Sequence, residues 1–210
     1  MNEWDKCCER FPWPEVRPTT QPLVHGWHTE ERQWAVLLGR VPVNAVVLEV
    51  GAWTGKTSLH VLATCPGMRL IAVDIWTESP VVLGNYWPKW RAEGHVKAGD
   101  TPKSLYQANL WEYRERVVVV QGDSVAGMLA VAACGVSPAL VYIDADHGEK
   151  AVYRDVMVAL DCFPDALISG HDYTTNAGSD DSPVGRAVRR IGIEQNLRTE
   201  HIAKVWWYER

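Results

Sequence analysis

The stretch LEVGAWTGKTSLH, Leu48–His60, sets a short β-branched run directly before two glycines and a Gly-Lys-Thr sequence. Gly55-Lys56-Thr57 has the ending of a phosphate loop, G-x-x-x-x-G-K-[ST], in which four residues between the glycines let backbone amides wrap the phosphates. Here Gly51 and Gly55 enclose only Ala52, Trp53 and Thr54, and one of these carries a bulky indole. A Walker B-like strand end is available in LVYIDAD, 140–146, so a P-loop nucleotide hydrolase or kinase stays as an alternative. The dinucleotide fingerprint G-x-G-x-x-G fails as well, because Trp53 stands where its second glycine belongs. What is left is Glu49-x-Gly51-x-x-x-Gly55, a tight strand-to-helix turn with a carboxylate at its entry.

Outward from this turn the pattern repeats. AVVLEV, 45–50, is a short apolar run of the kind buried on both faces of a parallel sheet, and RLIAVDI (69–75), RVVVVQG (116–122), ALVYIDA (139–145) and DALISGHD (165–172) are similar. Helix-like segments lie between them: KTSLHVLAT, SLYQANLWEYRE, SVAGMLAVAA and EKAVYRDVMVALDCF. A further helix precedes the first strand, with Thr29 as its cap, Glu30 and Glu31 in its first turn and Trp34, Leu37 and Leu38 on one face. Five strands alternating with helices predict a single α/β domain over 1–210, a Rossmann-like doubly wound sheet with helices on both faces. The sheet is expected to be mostly parallel, with AKVWWYER as an antiparallel C-terminal strand at or near its edge. Residues 1–24 read as an irregular arm, 76–104 as a Trp-rich lid, and 174–185 as a flexible loop before the helix RAVRRIG. In such a sheet ligands bind at the carboxyl ends of the strands, where Glu49, Asp74, Asp123, Asp144 and Asp172 all fall.

Composition narrows the partners. A net charge of −5 with no long Lys/Arg run gives little support to nucleic-acid binding, and a small-molecule acceptor fits better. Five cysteines without a C-x-x-C pair argue against a disulfide framework or a structural zinc and point to a reducing, cytoplasmic setting. The Pro-rich, acidic amino terminus does not read as a signal peptide, and no run reaches transmembrane length. Eleven Trp against two Phe suit a core, with some indoles in loops where they can line a pocket.

The set Glu49, Gly51, Gly55 and Asp74 resembles motif I and the second-strand acid of class I S-adenosylmethionine-dependent methyltransferases. The similarity is strongest to small O-methyltransferases related to the catechol and caffeoyl-CoA enzymes. The resemblance implies that Gly51 and Gly55 let the backbone approach the methionine part of S-adenosyl-L-methionine, with the helix start near Ser58 for its carboxylate. It further implies Asp74 and Ile75 at the ribose, Gly122, Asp123 and Ser124 at the adenine, and Glu49 and Asp144 near the sulfonium or amino group. Plainer readings stand beside these: the glycines only turn a strand into a helix, Asp74 caps a loop, and Asp123 with Ser124 starts the next helix.

A second constellation, YIDADHGEKAVYRDV (142–156) with LISGHDY (167–173), resembles a bacterial and phage methyltransferase group with an IDxxHxYexVxxD segment and a later GHDY. Metal-dependent relatives of that kind imply Asp144, His171 and Asp172 as ligands of Mg²⁺ or Mn²⁺. His171 replaces the usual acid, and imidazole is a poorer magnesium ligand, so either the ion is Mn²⁺, Fe²⁺ or Zn²⁺ or the metal is absent. His147 is the expected general base and Asp146 the second candidate, with a helix cap as the structural alternative for both. The expected function is S-adenosylmethionine-dependent methyl transfer to oxygen of a sugar or of a phenolic or diol metabolite, with or without divalent-metal assistance. A non-catalytic cofactor-binding module is the non-enzyme alternative, and a homodimer is compatible with either.

Overall fold

Continuous apolar runs become strands here because neighbouring side chains point into two different cores. In a computed structural model, which describes residues 1–25, 31–79, 86–175 and 178–209, seven strands form one sheet. They are β1 (Val46–Val50), β2 (Arg69–Asp74), β3 (Val117–Gln121), β4 (Leu140–Ile143), β5 (Leu167–Gly170), β6 (Arg198–Ile202) and β7 (Val205–Glu209). Their order is β3-β2-β1-β4-β5-β7-β6, parallel throughout except that β7 runs antiparallel to both β5 and β6. This is the doubly wound, mostly parallel sheet expected from the sequence. In β1, Leu48 and Val50 face one core while Val47 faces the other, and their registered partners Ile71 and Leu70 divide the same way. The period of two thus demands apolar residues at every position.

The helices supply the two covers. On the Leu48 face lie α1 (Glu3–Arg10), α6 (Ser124–Ala132), α7 (Glu149–Cys162) and α8 (Pro183–Glu194). On the Val47 face lie α2 (Glu31–Leu38), α3 (Lys56–Thr64) and α5 (Pro102–Leu110), the last running into a 3₁₀ turn at Trp111–Arg116. Helix α4 (Tyr86–Ala92) buries Trp87 and Trp90 in a small third cluster with Val96 and Leu105. No helix among the described residues is long and apolar enough to cross a membrane.

Several expectations need correction. Residues 1–24 are not uniformly irregular: Asn2 accepts a cap bond from the Asp5 amide, and α1 follows with Trp4 and Cys7 turned into the core. Two turns of helix with two inward residues show no readable period, which explains the misreading. Beyond α1 the arm still lies along the surface, where the Trp13 indole donates to the Val117 carbonyl at 2.7 Å on the edge strand β3. RTEHI, unassigned in the sequence, is β6; its polar residues suit the outermost strand, and they place β7 inside the sheet. Strand β7 accordingly buries Trp206, Trp207 and Tyr208. The helix RAVRRIG begins earlier, at Pro183, capped by Ser182, whose hydroxyl accepts from the Gly185 amide. Thr29 and Glu30, residues 80–85 of the expected lid and 176–177 of the expected loop lie outside the described residues.

Candidate active site

The glycine turn follows from backbone geometry. Gly51 sits at φ 94° and donates to the Val73 carbonyl at 2.8 Å, and a Cβ there would overlap the carbonyl oxygen of Asp144. Gly55, at φ 86°, would drive a Cβ into Leu110 and Tyr106. Trp53 between them also has a positive φ, 50°, a conformation that costs a non-glycine residue energy. Asp74 holds that conformation in place: its two oxygens accept from the Trp53 amide at 2.8 Å and the Trp76 amide at 2.7 Å. The Trp76 indole closes the loop by donating to the Trp53 carbonyl at 2.8 Å. Burial pushes the Asp74 carboxyl up, and the surrounding backbone amides pull it back. The loop-cap reading of Asp74 therefore has direct geometric support.

Glu49 is buried at the turn's entry, where it accepts from the Ser58 hydroxyl, which in turn lies 2.9 Å from the Tyr106 hydroxyl. Burial raises its pKa to about 8, the Ser58 bond works against the rise, and Asp144 and Asp74 add to it.

Farther along the crevice, Ile75 exposes an apolar side chain at the end of β2, and a Cβ on Gly122 would meet only the Gly127 amide at 3.9 Å. The two positions form an open ledge at the ends of β2 and β3. Asp123 spends its Oδ1 on the amides of Val125 and Ala126, at 3.0 and 3.1 Å, so it caps α6. The Ser124 hydroxyl donates to Asp155 at 2.7 Å.

A cleft of about 600 Å³ opens from the glycine turn to the ends of β4 and β5. Of the expected residues, Glu49, Gly51, Asp144, His147, His171 and Asp172 line it. Gly55, Ser58, Asp74, Ile75, Gly122, Asp123, Ser124 and Asp146 are not in its lining. Asp146 instead accepts from the Gly148 amide at 2.7 Å in an exposed turn ahead of α7; this is a local structural bond but not the expected helix cap, since the N-cap is Gly148 and no side chain caps it. Tyr173 is likewise outside the cleft lining, buried and stacked on His201 at 4.3 Å between ring centroids.

The four remaining polar residues converge. His147 Nε2 lies 3.2 Å from Asp144 Oδ1 and 3.2 Å from Asp172 Oδ2, and His171 Nδ1 lies 3.2 Å from Asp172 Oδ2. The hydrogen bond with Asp144 raises the pKa of His147 above its ordinary value, against its partial burial. Burial raises the Asp144 carboxyl despite its two imidazole neighbours. For Asp172 burial acts upward too, but the His171 bond, both imidazoles and Lys204 outweigh it and hold the carboxyl well below the usual range. Asp144, His171 and Asp172 each present one donor atom within 4.8 Å of the others, a mixed oxygen and nitrogen set that a divalent transition ion accepts.

Lys204 and His25 are among the cleft residues that sequence reasoning missed. Lys204, in the β6–β7 turn beside the positive-φ Ala203, reaches Asp172 Oδ1 at 3.1 Å. His25 is brought in by the arm: Asn109 bonds both the amide and the carbonyl of Leu23, and the His25 amide donates to Thr54 Oγ1 at 2.9 Å. Its ring meets those of Trp53 and Trp90 at 6.4 and 4.9 Å. Nothing local marks either residue, since both arrive through segments remote from the motifs.

This fold, with a glycine turn on β1 and acids at successive strand ends, is the one expected of a sulfonium-cofactor methyltransferase, and the family comparison agrees. Residues 48–173 match the methyltransferase-domain family, and the chain belongs to it. It is an S-adenosylmethionine-dependent methyltransferase. Among solved structures, an O-methyltransferase from Bacillus cereus in complex with S-adenosylhomocysteine is 14% identical, covers 99% of this chain and 88% of its own, and superposes with a TM-score of 0.60. A putative caffeoyl-CoA O-methyltransferase from Staphylococcus aureus is 12% identical over 90% of this chain and 86% of that one, TM-score 0.57. A TDP-rhamnose 3'-O-methyltransferase of calicheamicin biosynthesis is 15% identical over 86% and 79%, TM-score 0.56. No curated protein matches the sequence.

Proposed function

We propose that this methyltransferase acts on an oxygen of a small-molecule acceptor seated between the glycine turn and the cluster of Asp144, His147, His171 and Asp172. The observation that carries the reading is the convergence of these two acids and two imidazoles in a cleft that starts at Gly51. Methyl transfer from a sulfonium is an in-line displacement, so the protein has to align the acceptor and remove one proton. His147 is the proposed base: Asp144 and Asp172 accept from its Nε2–H, which leaves Nδ1 to take the proton, and the same two carboxylates stabilise the imidazolium that results. Gly51 turns the chain beside the methionine part of the cofactor, Glu49 puts a carboxyl near its amino group, and the ledge of Ile75 and Gly122 takes the adenine. Asp144, His171 and Asp172 would hold a divalent ion, which when bound supplies a Lewis acid that lowers the pKa of the acceptor hydroxyl. Acceptors named for the structural neighbours, a TDP-sugar and a caffeoyl-CoA, support oxygen as the methylated atom. The net charge of −5 favours a small molecule over nucleic acid.

Calorimetry with S-adenosylhomocysteine, with and without Mn²⁺ or Mg²⁺, tests the site, and transfer of labelled methyl to a panel of sugars and diols tests the reaction. His147→Ala is expected to lower turnover by about 100-fold or more while cofactor affinity stays within about twofold. Equal turnover in His147→Ala and the parent protein would remove it as the base.

A further inference from the structure

Lys204 brings a full positive charge to the cluster of Asp144, His147, His171 and Asp172. Its Nζ lies 3.1 Å from Asp172 Oδ1, with the two side chains 31% and 27% exposed. This is not a loose surface contact, because both backbones are pinned. Asp172 takes a left-handed φ of 55°, and its carbonyl accepts from the Ser182 hydroxyl at 3.0 Å. The next amide, that of Tyr173, donates to the Lys204 carbonyl at 3.0 Å. Ala203, at φ 52°, turns β6 toward β7 directly before the lysine, and His201 of β6 stacks on the Tyr173 ring. Two left-handed non-glycine residues on facing segments thus bring ammonium and carboxylate together, a conformation that the surrounding bonds have to hold.

The two oxygens of Asp172 are divided between different partners. Oδ2 faces the imidazoles, 3.2 Å from His147 Nε2 and 3.2 Å from His171 Nδ1, whereas Oδ1 is given to Lys204. The set of Asp144, His171 and Asp172 proposed for a divalent ion therefore has a cation on one of its carboxylates already. Lys204 lines the same cleft as these three residues. A fixed ammonium and a divalent ion sharing one carboxylate repel each other, and at so short a range the solvent of a half-open cleft screens that repulsion only in part.

Resting on the reading of Asp144, His171 and Asp172 as a divalent-ion site, we propose that Lys204 is a tethered counter-cation that sets the affinity of this site. It neutralises one of the two carboxylates, withholds Asp172 Oδ1, and so keeps the cleft from binding a bare divalent ion tightly.

Mn²⁺ is the probe, because the paramagnetic resonance signal of the free ion is lost on binding and no acceptor or turnover is needed. Lys204→Met removes the charge and the donor, Lys204→Gln removes the charge and keeps a donor, and Lys204→Arg keeps both. At one pH and ionic strength, the two neutral variants are each expected to bind Mn²⁺ about tenfold or more tightly than the parent protein, and Lys204→Arg within about threefold of it. Asp144→Asn added to Lys204→Met should abolish the gain. A cooperative thermal transition in each variant reports an intact fold, and a purely structural role of Lys204 would weaken Mn²⁺ binding instead of strengthening it. Failure of either neutral variant to bind Mn²⁺ more tightly than the parent, or an equal gain in Lys204→Arg, overturns the proposal. No Mn²⁺ binding in any of these proteins, or binding indifferent to Asp144→Asn, overturns the reading of the three residues as an ion site and the proposal with it.

Discussion

Glu49 carries a pH dependence with a definite sign. Its carboxyl, buried beside Ser58, titrates at about 8 in the folded chain against an ordinary 4.5. The folded state therefore binds this proton more tightly than the unfolded chain does. The contribution to stability is complete below about 4.5 and is lost as the pH climbs through about 8. The free protein should melt at a lower temperature near pH 9 than near pH 6, and S-adenosylhomocysteine, whose amino group can pair with the ionised form, should narrow that difference. At neutral pH burial keeps Glu49 mostly protonated in the free protein, so cofactor binding should release a proton. Calorimetry in buffers of different ionisation enthalpy reads this directly, and a binding heat that does not vary with buffer would remove Glu49 from contact with the cofactor's cation.

Among the elements, α1 is the one whose importance the sequence conceals. Trp4 is 8% exposed, belongs to the core cluster to which α6 and α7 also contribute, and has the Arg69 guanidinium 5.1 Å over its ring. Trp4→Ala should cost ~3 kcal/mol or more in urea unfolding, as expected for a large ring leaving a packed core. A loss below about 0.5 kcal/mol would mean that α1 is only an appendage. The central strands were legible because burial on both faces leaves them almost wholly apolar, and α3 could be bounded because Gly55 precedes it and Pro66-Gly67 follow it. Helix α1 and strand β6 were not, because one is too short to show a period and the other is polar at the sheet edge. Asp74 and Asp123 were legible as strand-end acids, yet both bind backbone amides of their own loops, a use that spacing alone cannot separate from ligand binding.

For the molecule as a whole, the cleft is shared between the family domain and what flanks it. The match ends at residues 48 and 173, and outside it lie His25, Thr174, Thr175, Ser182 and Lys204, all in the cleft lining. The glycine turn and the Asp144 cluster were readable because they are local sequences at predictable strand ends. His25 and Lys204 were not, because a strap held by Asn109 and a turn between two late strands bring them in by tertiary packing. Trp53 stands where these two contributions meet, half-buried in the glycine turn with its ring 5.5 Å from that of Trp90 and its edge toward His25. Of the tryptophans among the described residues, it alone lines the cleft. The protein consequently carries its own optical probe: its ultraviolet-excited emission should change in intensity and colour as S-adenosylhomocysteine titrates in. Trp53→Phe should silence most of that signal while the remaining indoles continue to glow unchanged.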